Sequence, residues 1–434
     1  MRVCVVGLGK IGLPLAVQIA SKGIEVIGAD ISSQTVDQVN KGLSPFPGEV
    51  GLEEMLRDAV DRGVLSAVTD TQRAVTESSV VVVVVPLVTD EDGTPDFAAI
   101  DSATMDIGSG LQEGTLLSYE TTLPVGTTRT RFGPMIQESS GLEAGSGFYL
   151  VHSPERVYSG RIFSDLRRYP KLVGGINEES RERGVAFYET ILEFDDRPDL
   201  QRPNGVWPLA SAEAAEMAKL AETTYRDVNI ALANQFAEFA ESTGVDVAEV
   251  IDAANSQPFS HIHRPGVAVG GHCIPVYPRF YLSGHPNAEL VDAARRVNLS
   301  VPERVVETLE RDLDGLGEQT VLILGAAYRG GVKETAFSGA FDLAREISKR
   351  GGLPVVADPL YDDVEIAELG FVPWDGSKVD AAIVQADHAE YRNLDPAAVP
   401  GARVVYDGRN ILNPTTWVGS GVTLRIIGQG ANSR

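Results

Sequence analysis

Short apolar runs alternate with longer stretches of helical spacing along most of the chain. At the start, RVCVVGLG predicts a strand, KIGLPLAVQIASKG predicts a helix that ends in glycine, and EVIGAD predicts a second strand. Continuous apolar runs at 79–86 and 115–121 predict two more strands that are buried on both faces. Because such strands alternate with helices, the pattern predicts a parallel sheet with helices on both faces.

The same alternation returns near the end of the chain, in TVLILGAAYRGG, LPVVADP, DAAIVQADH and ARVVYDGRN. Between the two regions, 211–243 contains neither glycine nor proline, and Ser211 and Gly244 are suitable cap and stop residues. A helix over this stretch would be about 50 Å long, which suits a connector or a dimer axis. The predicted fold is therefore α/β, with two Rossmann-like doubly wound parallel-sheet domains joined by a helical middle region with one long central helix. The predicted domains are 1–205, 206–305 and 306–434.

Composition narrows the functional classes. A chain of 434 residues that is 43% apolar and 23% charged fits a globular protein of two or three domains. Its net charge of -24 argues against nucleic-acid and anionic-membrane partners, which need basic surfaces. The opening residues lack the features of a signal peptide, and the longest aliphatic run, at 80–88, is too short to span a bilayer. With only two cysteines, no disulfide framework is expected, and the cytoplasm is the expected location.

The stretch GLGKIG fits the G-x-G-x-x-G pattern of dinucleotide-binding turns. Gly7, Gly9 and Gly12 lie between the first strand and the first helix, and Asp30 ends the second strand. In this context the glycines let a pyrophosphate approach the helix N-terminus, and the acid binds ribose hydroxyls. No Arg or Lys follows Asp30 within ten residues, which favours NAD over NADP. The alternative is a tight turn without a ligand. The later GAAYRGG keeps only part of the pattern, which favours a related fold with another ligand. The alternative for Asp358 is a strand-end residue without a ligand.

Cys273 lies in the glycine- and proline-rich stretch GVAVGGHCIPVYPRF. His261, His263 and His272 are near it in sequence, but the paired short spacings of a zinc site are missing, so no metal is predicted. A buried, inert cysteine and a reactive thiol both remain open from the spacing alone.

On the long helix, Lys219, Thr223 and Arg226 have the spacing of one helical face. They fit either a solvated, salt-bridged surface or a site for an anionic substrate.

Ordered motifs along nearly the whole chain resemble the UDP-glucose/GDP-mannose dehydrogenases, which oxidise the C6 alcohol of a nucleotide sugar to a uronic acid. The motifs are GLGKIGLP, YETTLPVGTTR, HSPERVYSGR, AEMAKLAETTYRDVNIALANQ, PGVAVGGHC, GAAYRGG and YDGRN. The forms SPER and GGHCIP are most similar to the branch that acts on UDP-N-acetylhexosamines such as UDP-N-acetylmannosamine. The resemblance implies two successive NAD⁺-dependent oxidations, through a thiohemiacetal and a thioester on Cys273. We also expect a homodimer built on the central helix, and a product that serves as a precursor of polysaccharides or glycoconjugates.

The resemblance also assigns roles residue by residue. It implies that Cys273 is the nucleophile, that Lys219 stabilises an oxyanion, and that Thr122 and Glu155 position water and assist proton transfer. The implied NAD contacts are Gly7, Gly9, Lys10, Ile11, Gly12, Asp30, Pro86, Thr122 and Lys333. The implied contacts of the nucleotide sugar are Glu155, Arg156, Lys219, Thr223, Arg264, Gly270, Gly271, Tyr328, Arg329 and Arg409.

Three residues depart from the usual family pattern. Thr223 replaces an Asn beside the lysine, Tyr277 replaces an Asp that helps to hold water, and Ala336 replaces an Arg that meets cofactor phosphates, with Lys333 nearby as a substitute. The alternatives are a UDP- or dTDP-glucose 6-dehydrogenase, a two-electron dehydrogenase of the 3-hydroxyacid or 6-phosphogluconate type, and a non-catalytic nucleotide-sugar binding protein.

Overall fold

A computed structural model describes residues 1–46, 48–90 and 93–430, which form two compact units. The first unit comprises Met1–Glu222 and Arg279–Gly284, and the second comprises Thr223–Pro278 and His285–Arg434. The structure groups the chain into two units, and the division into three domains predicted from the sequence stays a prediction.

The first unit is built on an eight-stranded sheet. In chain order its strands and those of a small antiparallel ribbon are β1 (Arg2–Val6), β2 (Glu25–Ala29), β3 (Leu65–Val68), β4 (Val80–Val83), β5 (Val88–Thr89), β6 (Pro95–Asp96), β7 (Leu116–Tyr119), β8 (Tyr149–His152), β9 (Lys171–Gly175) and β10 (Val206–Leu209). The sheet has the order β10-β9-β8-β7-β4-β1-β2-β3, and β5 pairs with β6 in the ribbon. Every pair in the sheet is parallel except β8 with β9.

Helices cover both faces of this sheet. They are α1 (Gly12–Ser21), α2 (Ser33–Asn40), α3 (Leu52–Asp61), α4 (Thr71–Thr76), α5 (Ala98–Gly110), a π-helical turn (Thr128–Phe132), α6 (Gly133–Ser140), α7 (Ile162–Arg168) and α8 (Glu178–Ile191). On β7, the Ser118 hydroxyl bonds Tyr188 of α8, whereas the next residue, Tyr119, bonds Thr104 of α5. Because successive strand residues point to opposite faces, α5 and α8 lie on opposite sides of the sheet.

The predicted long helix is confirmed as α9 (Ala212–Thr243), which begins in the first unit and ends in the second. The Ser211 hydroxyl accepts the Ala214 N–H at 3.3 Å, and Gly244, at φ +79°, ends the helix in the left-handed region. Near its start, the buried Glu216 carboxylate accepts the Thr128 N–H at 2.8 Å and the Thr128 hydroxyl at 2.6 Å. These bonds fix the first turns of α9 to the π-helical turn.

The second unit contains a five-stranded, wholly parallel sheet of order β12-β11-β13-β14-β15. The remaining elements of the chain are α10 (Val247–Asn255), α11 (Tyr277–Gly284), α12 (Glu289–Asp312), β11 (Thr320–Leu324), α13 (Gly339–Lys349), β12 (Leu353–Ala357), α14 (Asp363–Glu368), β13 (Ala381–Val384), β14 (Val404–Asp407) and β15 (Thr423–Ile426), with 3₁₀ turns at Ala389–Asn393, Pro396–Ala398 and Pro414–Trp417.

The two faces of the second sheet are covered differently. Val321 and Ile323 pack with apolar residues of α12 and α13, whereas Leu322 and Leu324 pack with the 3₁₀ turns that carry Tyr391 and Trp417. Both sheets and the helical middle region confirm the predicted fold class. Across 1–46, 48–90 and 93–430, no helix has both the length and the hydropathy that crossing a bilayer requires.

Candidate functional site

The carboxyl ends of β1 and β4 border the point where the order of the first sheet reverses. In a doubly wound sheet this point forms a crevice for a ligand. Gly7 follows β1 at φ +93°, and a Cβ on Gly12 would lie 1.8 Å from the Gly7 carbonyl oxygen. A Cβ on Gly9 would meet nothing within 4 Å. Gly7 therefore allows the tight turn, Gly12 allows the helix to pack closely, and Gly9 leaves the surface open to a ligand. A pyrophosphate site requires this division of roles.

Asp30 lies beside this turn at the end of β2. Its carboxylate accepts the Leu8 N–H at 2.8 Å and the Ser32 N–H at 2.9 Å, so its position is fixed from both sides. Lys10 and Ile11 lie in the turn itself, and Pro86 and Thr122 follow β4 and β7 at the same edge of the sheet. The turn and its acid fit NAD, because backbone N–H groups at the N-terminus of α1 would bind a diphosphate and the Asp30 carboxylate would bind a ribose.

The glycine turn gives a matched pair of variants. We expect Gly12→Ala to lower the free energy of unfolding by about 3 kcal/mol or more, because the added methyl group overlaps backbone atoms. Gly9→Ala should leave the free energy of unfolding unchanged and weaken NAD⁺ binding by about ten-fold or more, because the methyl group enters the approach of the pyrophosphate. Urea denaturation and NAD⁺ titration by calorimetry separate the two effects. Equal losses of stability would contradict the different roles given to the two glycines.

Glu155 follows β8 and belongs to a buried cluster of charged residues. Its carboxylate accepts the backbone N–H groups of Arg156 at 2.6 Å and Val157 at 3.1 Å, and it lies 2.8 Å from the Lys171 ammonium. The same ammonium lies 2.7 Å from Glu120, whose other oxygen accepts the Tyr188 hydroxyl at 2.6 Å. The sequence alone did not identify Glu120, Lys171 and Tyr188 as members of this buried cluster. A lysine that opens the apolar strand KLVGG was the available signal.

The protonation of this cluster follows from burial and charge. Burial raises the pKa of Glu120 to about 7, with the negative charge of Glu155 acting in the same direction and Lys171 opposing it. For Glu155, burial acts to raise the pKa, but the charge and hydrogen bond of Lys171, together with the bonds from the Arg156 N–H and the Glu120 side chain, outweigh burial and lower the pKa. The two carboxylates titrate as a pair because they share one ammonium.

The arginine of the SPER motif, Arg156, also forms hydrogen bonds within the first unit. Arg156 donates to Glu222 of α9 at 2.9 Å and to the Pro170 carbonyl at 3.3 Å. On α9, Lys219 and Thr223 are only 6% and 2% exposed, so these two residues do not belong to a solvated, salt-bridged surface.

In the second unit, residues 266–271 run along the carboxyl edge of the sheet. The Val267 N–H donates to the Gly408 carbonyl at 3.0 Å, and the Gly271 N–H donates to the Ala336 carbonyl at 2.8 Å. A Cβ on Gly270 would lie 2.6 Å from the Cβ of Tyr328, and Gly271 has φ +91°. Glycine is therefore required where this loop crosses the sheet.

Arg409 comes from the same edge, just after β14. Its Nε donates to the Gln385 carbonyl at 2.5 Å, and a Cβ on Gly266 would lie 2.7 Å from its Nη1. The structure thus brings together four residues of the predicted nucleotide-sugar contacts within one unit: Gly270, Gly271, Tyr328 and Arg409.

Cys273 is half-buried and follows the loop directly. Its carbonyl accepts the Tyr277 N–H at 2.9 Å, so the chain turns into α11 immediately after the cysteine. His272 lies 3.4 Å from Glu334, and its side chain is 66% exposed. Within the described ranges, no three His, Cys, Asp or Glu side chains are grouped as metal ligands.

Three other predicted basic residues have partners within the second unit. Arg264 pairs with Asp252, and Lys333 pairs with Glu365 and lies 5.0 Å from the ring centre of Tyr361. Arg329 donates to the Tyr328 hydroxyl at 3.0 Å. Their roles toward nucleotide sugar or cofactor stay predictions.

The second sheet repeats the strand-end acid of the first. Asp358 follows β12 and accepts the N–H groups of Ala327 at 2.9 Å and Leu360 at 2.8 Å, and His388 Nε2 lies 3.2 Å from its carboxylate. Burial acts to raise its pKa, but the His388 contact and the two N–H bonds outweigh burial and lower it. This carboxylate is therefore fully engaged by the protein.

Comparisons with known proteins agree with this arrangement. Three domains of the UDP-glucose/GDP-mannose dehydrogenase family match in order: the NAD binding domain at residues 1–192, the central domain at 213–300 and the UDP binding domain at 322–414. A UDP-N-acetyl-D-mannosamine dehydrogenase of Methanocaldococcus jannaschii is 33% identical over 100% of this chain and 97% of that relative. An NDP-N-acetyl-D-galactosaminuronic acid dehydrogenase of Ralstonia solanacearum is 31% identical over 94% and 96% of the two chains.

A solved structure gives the same result. The UDP-D-ManNAc dehydrogenase of Pyrococcus horikoshii superposes with a TM-score of 0.87 at 31% identity, over 99% of both chains. The ordered domains, the glycine turn with its acid and the full-length relatives together show that this chain belongs to the UDP-glucose/GDP-mannose dehydrogenase family of NAD-dependent oxidoreductases.

Proposed function

We propose that the protein oxidises the C6 hydroxyl of a UDP-N-acetylhexosamine to the uronic acid, for the synthesis of polysaccharide or glycoconjugate precursors. The observation that carries the proposal is the glycine loop, which lies on the edge of the second sheet beside Arg409 and leads directly into Cys273. The names of the relatives support an N-acetylated sugar over glucose.

The proposed reaction consumes one sugar alcohol, two NAD⁺ and one water, and it yields one carboxylate, two NADH and three protons. NAD⁺, when bound, supplies the acceptor for one hydride in each oxidation. Lys219 stabilises the negative charge that develops on the C6 oxygen. The Cys273 thiolate bonds to the aldehyde carbon to give a thiohemiacetal, which the second oxidation converts to a thioester. Glu155 then takes a proton from water as the water oxygen attacks the thioester and the thiolate leaves.

The substrate and the stoichiometry are tested together. The protein is mixed with NAD⁺ and a panel of UDP-, dTDP- and GDP-sugars, and the NADH formed per sugar is counted. We expect two NADH per UDP-N-acetylhexosamine. One NADH per sugar would favour the two-electron dehydrogenase, and tight sugar binding without NADH would favour a non-catalytic binding protein. A preference for UDP- or dTDP-glucose would identify the protein as a UDP- or dTDP-glucose 6-dehydrogenase instead.

We also propose that the protein is a homodimer through α9, in a reducing cytoplasm that keeps Cys273 free. Four large apolar or aromatic residues lie exposed along one stripe of the helix: Tyr225, Leu232, Phe236 and Phe239. At about 100° per residue they fall within about 60° of one another. A continuous apolar stripe of this kind supports a symmetric contact with a second copy.

The dimer proposal has a matched control in an exposed phenylalanine outside α9. We expect Phe239→Glu to halve the mass measured by light scattering, because two charges would face each other across the symmetric contact. Phe259, which is 92% exposed after α10, supplies the control, and Phe259→Glu should leave the mass unchanged. A wild-type mass of one chain, or a Phe239→Glu protein that stays a dimer, would contradict the proposal.

A further inference from the structure

One buried ammonium in the first unit is shared by two carboxylates. Lys171 lies 2.7 Å from Glu120 and 2.8 Å from Glu155, and the side chains of these three residues are 5%, 0% and 11% exposed. The Glu155 N–H also donates to the Glu120 carbonyl at 3.1 Å, which fixes the two acids side by side. A simple buried ion pair needs one acid for one base, and here a second buried carboxylate adds a charge that must be compensated.

Among the residues that the structure describes, the titratable groups around this cluster are either neutral or already paired with another charge. Tyr188 of α8 donates to Glu120, and burial raises its pKa well above the usual range, so it stays neutral. Burial, with the charge of Lys171, lowers the pKa of His152 on β8 to about 3, so it is neutral as well. Arg156 is paired with Glu222, and Asp165 of α7 is paired with Arg161.

Bulk solvent does not screen the cluster either. The cavity beside Glu155 and Lys171 measures about 10 Å³ and is lined in part by Tyr169 and Asp165. A volume of this size holds at most about one water molecule. Charges in the cluster therefore interact strongly with one another, and a proton on one carboxylate changes the proton affinity of the other.

We propose that Glu120 is a positioning residue that controls, through the shared Lys171, whether Glu155 can accept a proton during catalysis. The proposal rests on the role of Glu155 in the proposed function. When Glu120 is ionised, a proton that passes from water to Glu155 leaves Lys171 paired with Glu120, and the cluster becomes neutral. When Glu120 is protonated, the same transfer leaves a buried ammonium without a counter-charge, which is unfavourable. Glu155 is therefore an effective base only when Glu120 is ionised.

The pH dependence follows from this coupling. Because burial raises the pKa of Glu120 to about 7, the fraction with ionised Glu120 increases as the pH rises through neutrality. We expect kcat for acid formation to rise across the same range. Glu120→Gln keeps the shape but is permanently neutral, so it should lower kcat at pH 8 by about ten-fold or more and remove the rise near pH 7. The KM for the nucleotide sugar should change by less than about two-fold, since the Glu120 side chain is fully buried behind Lys171.

Three further variants and one control keep the test decisive if one substitution impairs folding. Glu120→Asp restores an ionisable group and should restore a rise of kcat with pH. Lys171→Arg should retain the rise, whereas Lys171→Met should move it to higher pH, because both carboxylates then lack a counter-charge. Asp312→Asn, which breaks the ion pair with Arg425 on β15, controls for the general loss of a partly buried ion pair and should keep the wild-type pH profile.

A readout without substrate separates this inference from the proposed function. Burial also raises the pKa of Glu216, at the start of α9, to about 7, so this residue contributes a constant signal in every variant. Infrared difference spectra of the full chain between pH 6 and pH 8 should therefore show one deprotonating carboxylic acid fewer in Glu120→Gln than in the wild type and in Asp312→Asn. If this titration is present but no nucleotide sugar is oxidised, the proposed function fails and the titrating pair stands. If sugars are oxidised and Glu120→Gln keeps both kcat and the wild-type pH profile, the inference is overturned.

Discussion

Replacing Cys273 with alanine is expected to lower the rate of uronate formation by at least about a thousand-fold, because the nucleophile of the proposed reaction is removed. The affinity for NAD⁺ should stay unchanged, since the glycine turn and Asp30 belong to the first unit and Cys273 to the second. Acid formation is measured with the nucleotide sugar that responds in the panel, and NAD⁺ binding by calorimetry. Undiminished uronate production would overturn the covalent mechanism.

The other cysteine provides the matched control. Cys4 is fully buried in β1, and burial raises the pKa of its thiol to about 12, so it is inert near neutral pH. Cys4→Ala should therefore keep its turnover while losing some stability through the missing buried sulfur. Alkylation of the native protein should modify one cysteine per chain, and the modified peptide should contain Cys273.

Replacing Lys219 with methionine is expected to lower kcat by about a hundred- to a thousand-fold, the usual effect of removing one group that stabilises a developing oxyanion. Methionine preserves much of the length of the side chain in a position that is only 6% exposed, so the fold should be retained. The measurement is steady-state NADH formation, with NAD⁺ binding and thermal unfolding determined in parallel.

A surface lysine serves as the comparison for this variant. The Lys349 side chain is 64% exposed and pairs with Glu346, so Lys349→Met should change kcat by less than about two-fold. If Lys219→Met raises KM for the nucleotide sugar and leaves kcat unchanged, Lys219 contributes to ground-state binding and the oxyanion role is wrong.

Local sequence patterns were sufficient for the parts of the fold that depend on neighbours along the chain. Ser211 and Gly244 bracketed α9 correctly, because helix ends are set by side chains and backbone angles within a few residues. The glycine turn with Asp30 was predicted from one strand–helix–strand unit, whose parts are adjacent in sequence.

Contacts between distant segments could not be derived in this way. Glu120 and Lys171 are 51 positions apart and meet only because β7, β8 and β9 are neighbours in the sheet. The burial of Lys219 and Thr223 depends likewise on tertiary packing, which the spacing along α9 left open. A single sequence predicts which residues share one face of a helix. The tertiary packing around that face then decides whether its charged residues are solvated.

The engagement of Asp358 by His388 has a kinetic consequence. A ribose could use the acid of the second sheet only by displacing His388 and two backbone N–H bonds. Both oxidations of the proposed reaction would then depend on the crevice of the first unit, which has to exchange reduced for oxidised dinucleotide halfway through each turnover. In the proposed mechanism, the bond to Cys273 would retain the half-oxidised sugar during that exchange. Product inhibition would therefore act twice per turnover, and flux would follow the cellular NAD⁺/NADH ratio more steeply than in a single-step dehydrogenase.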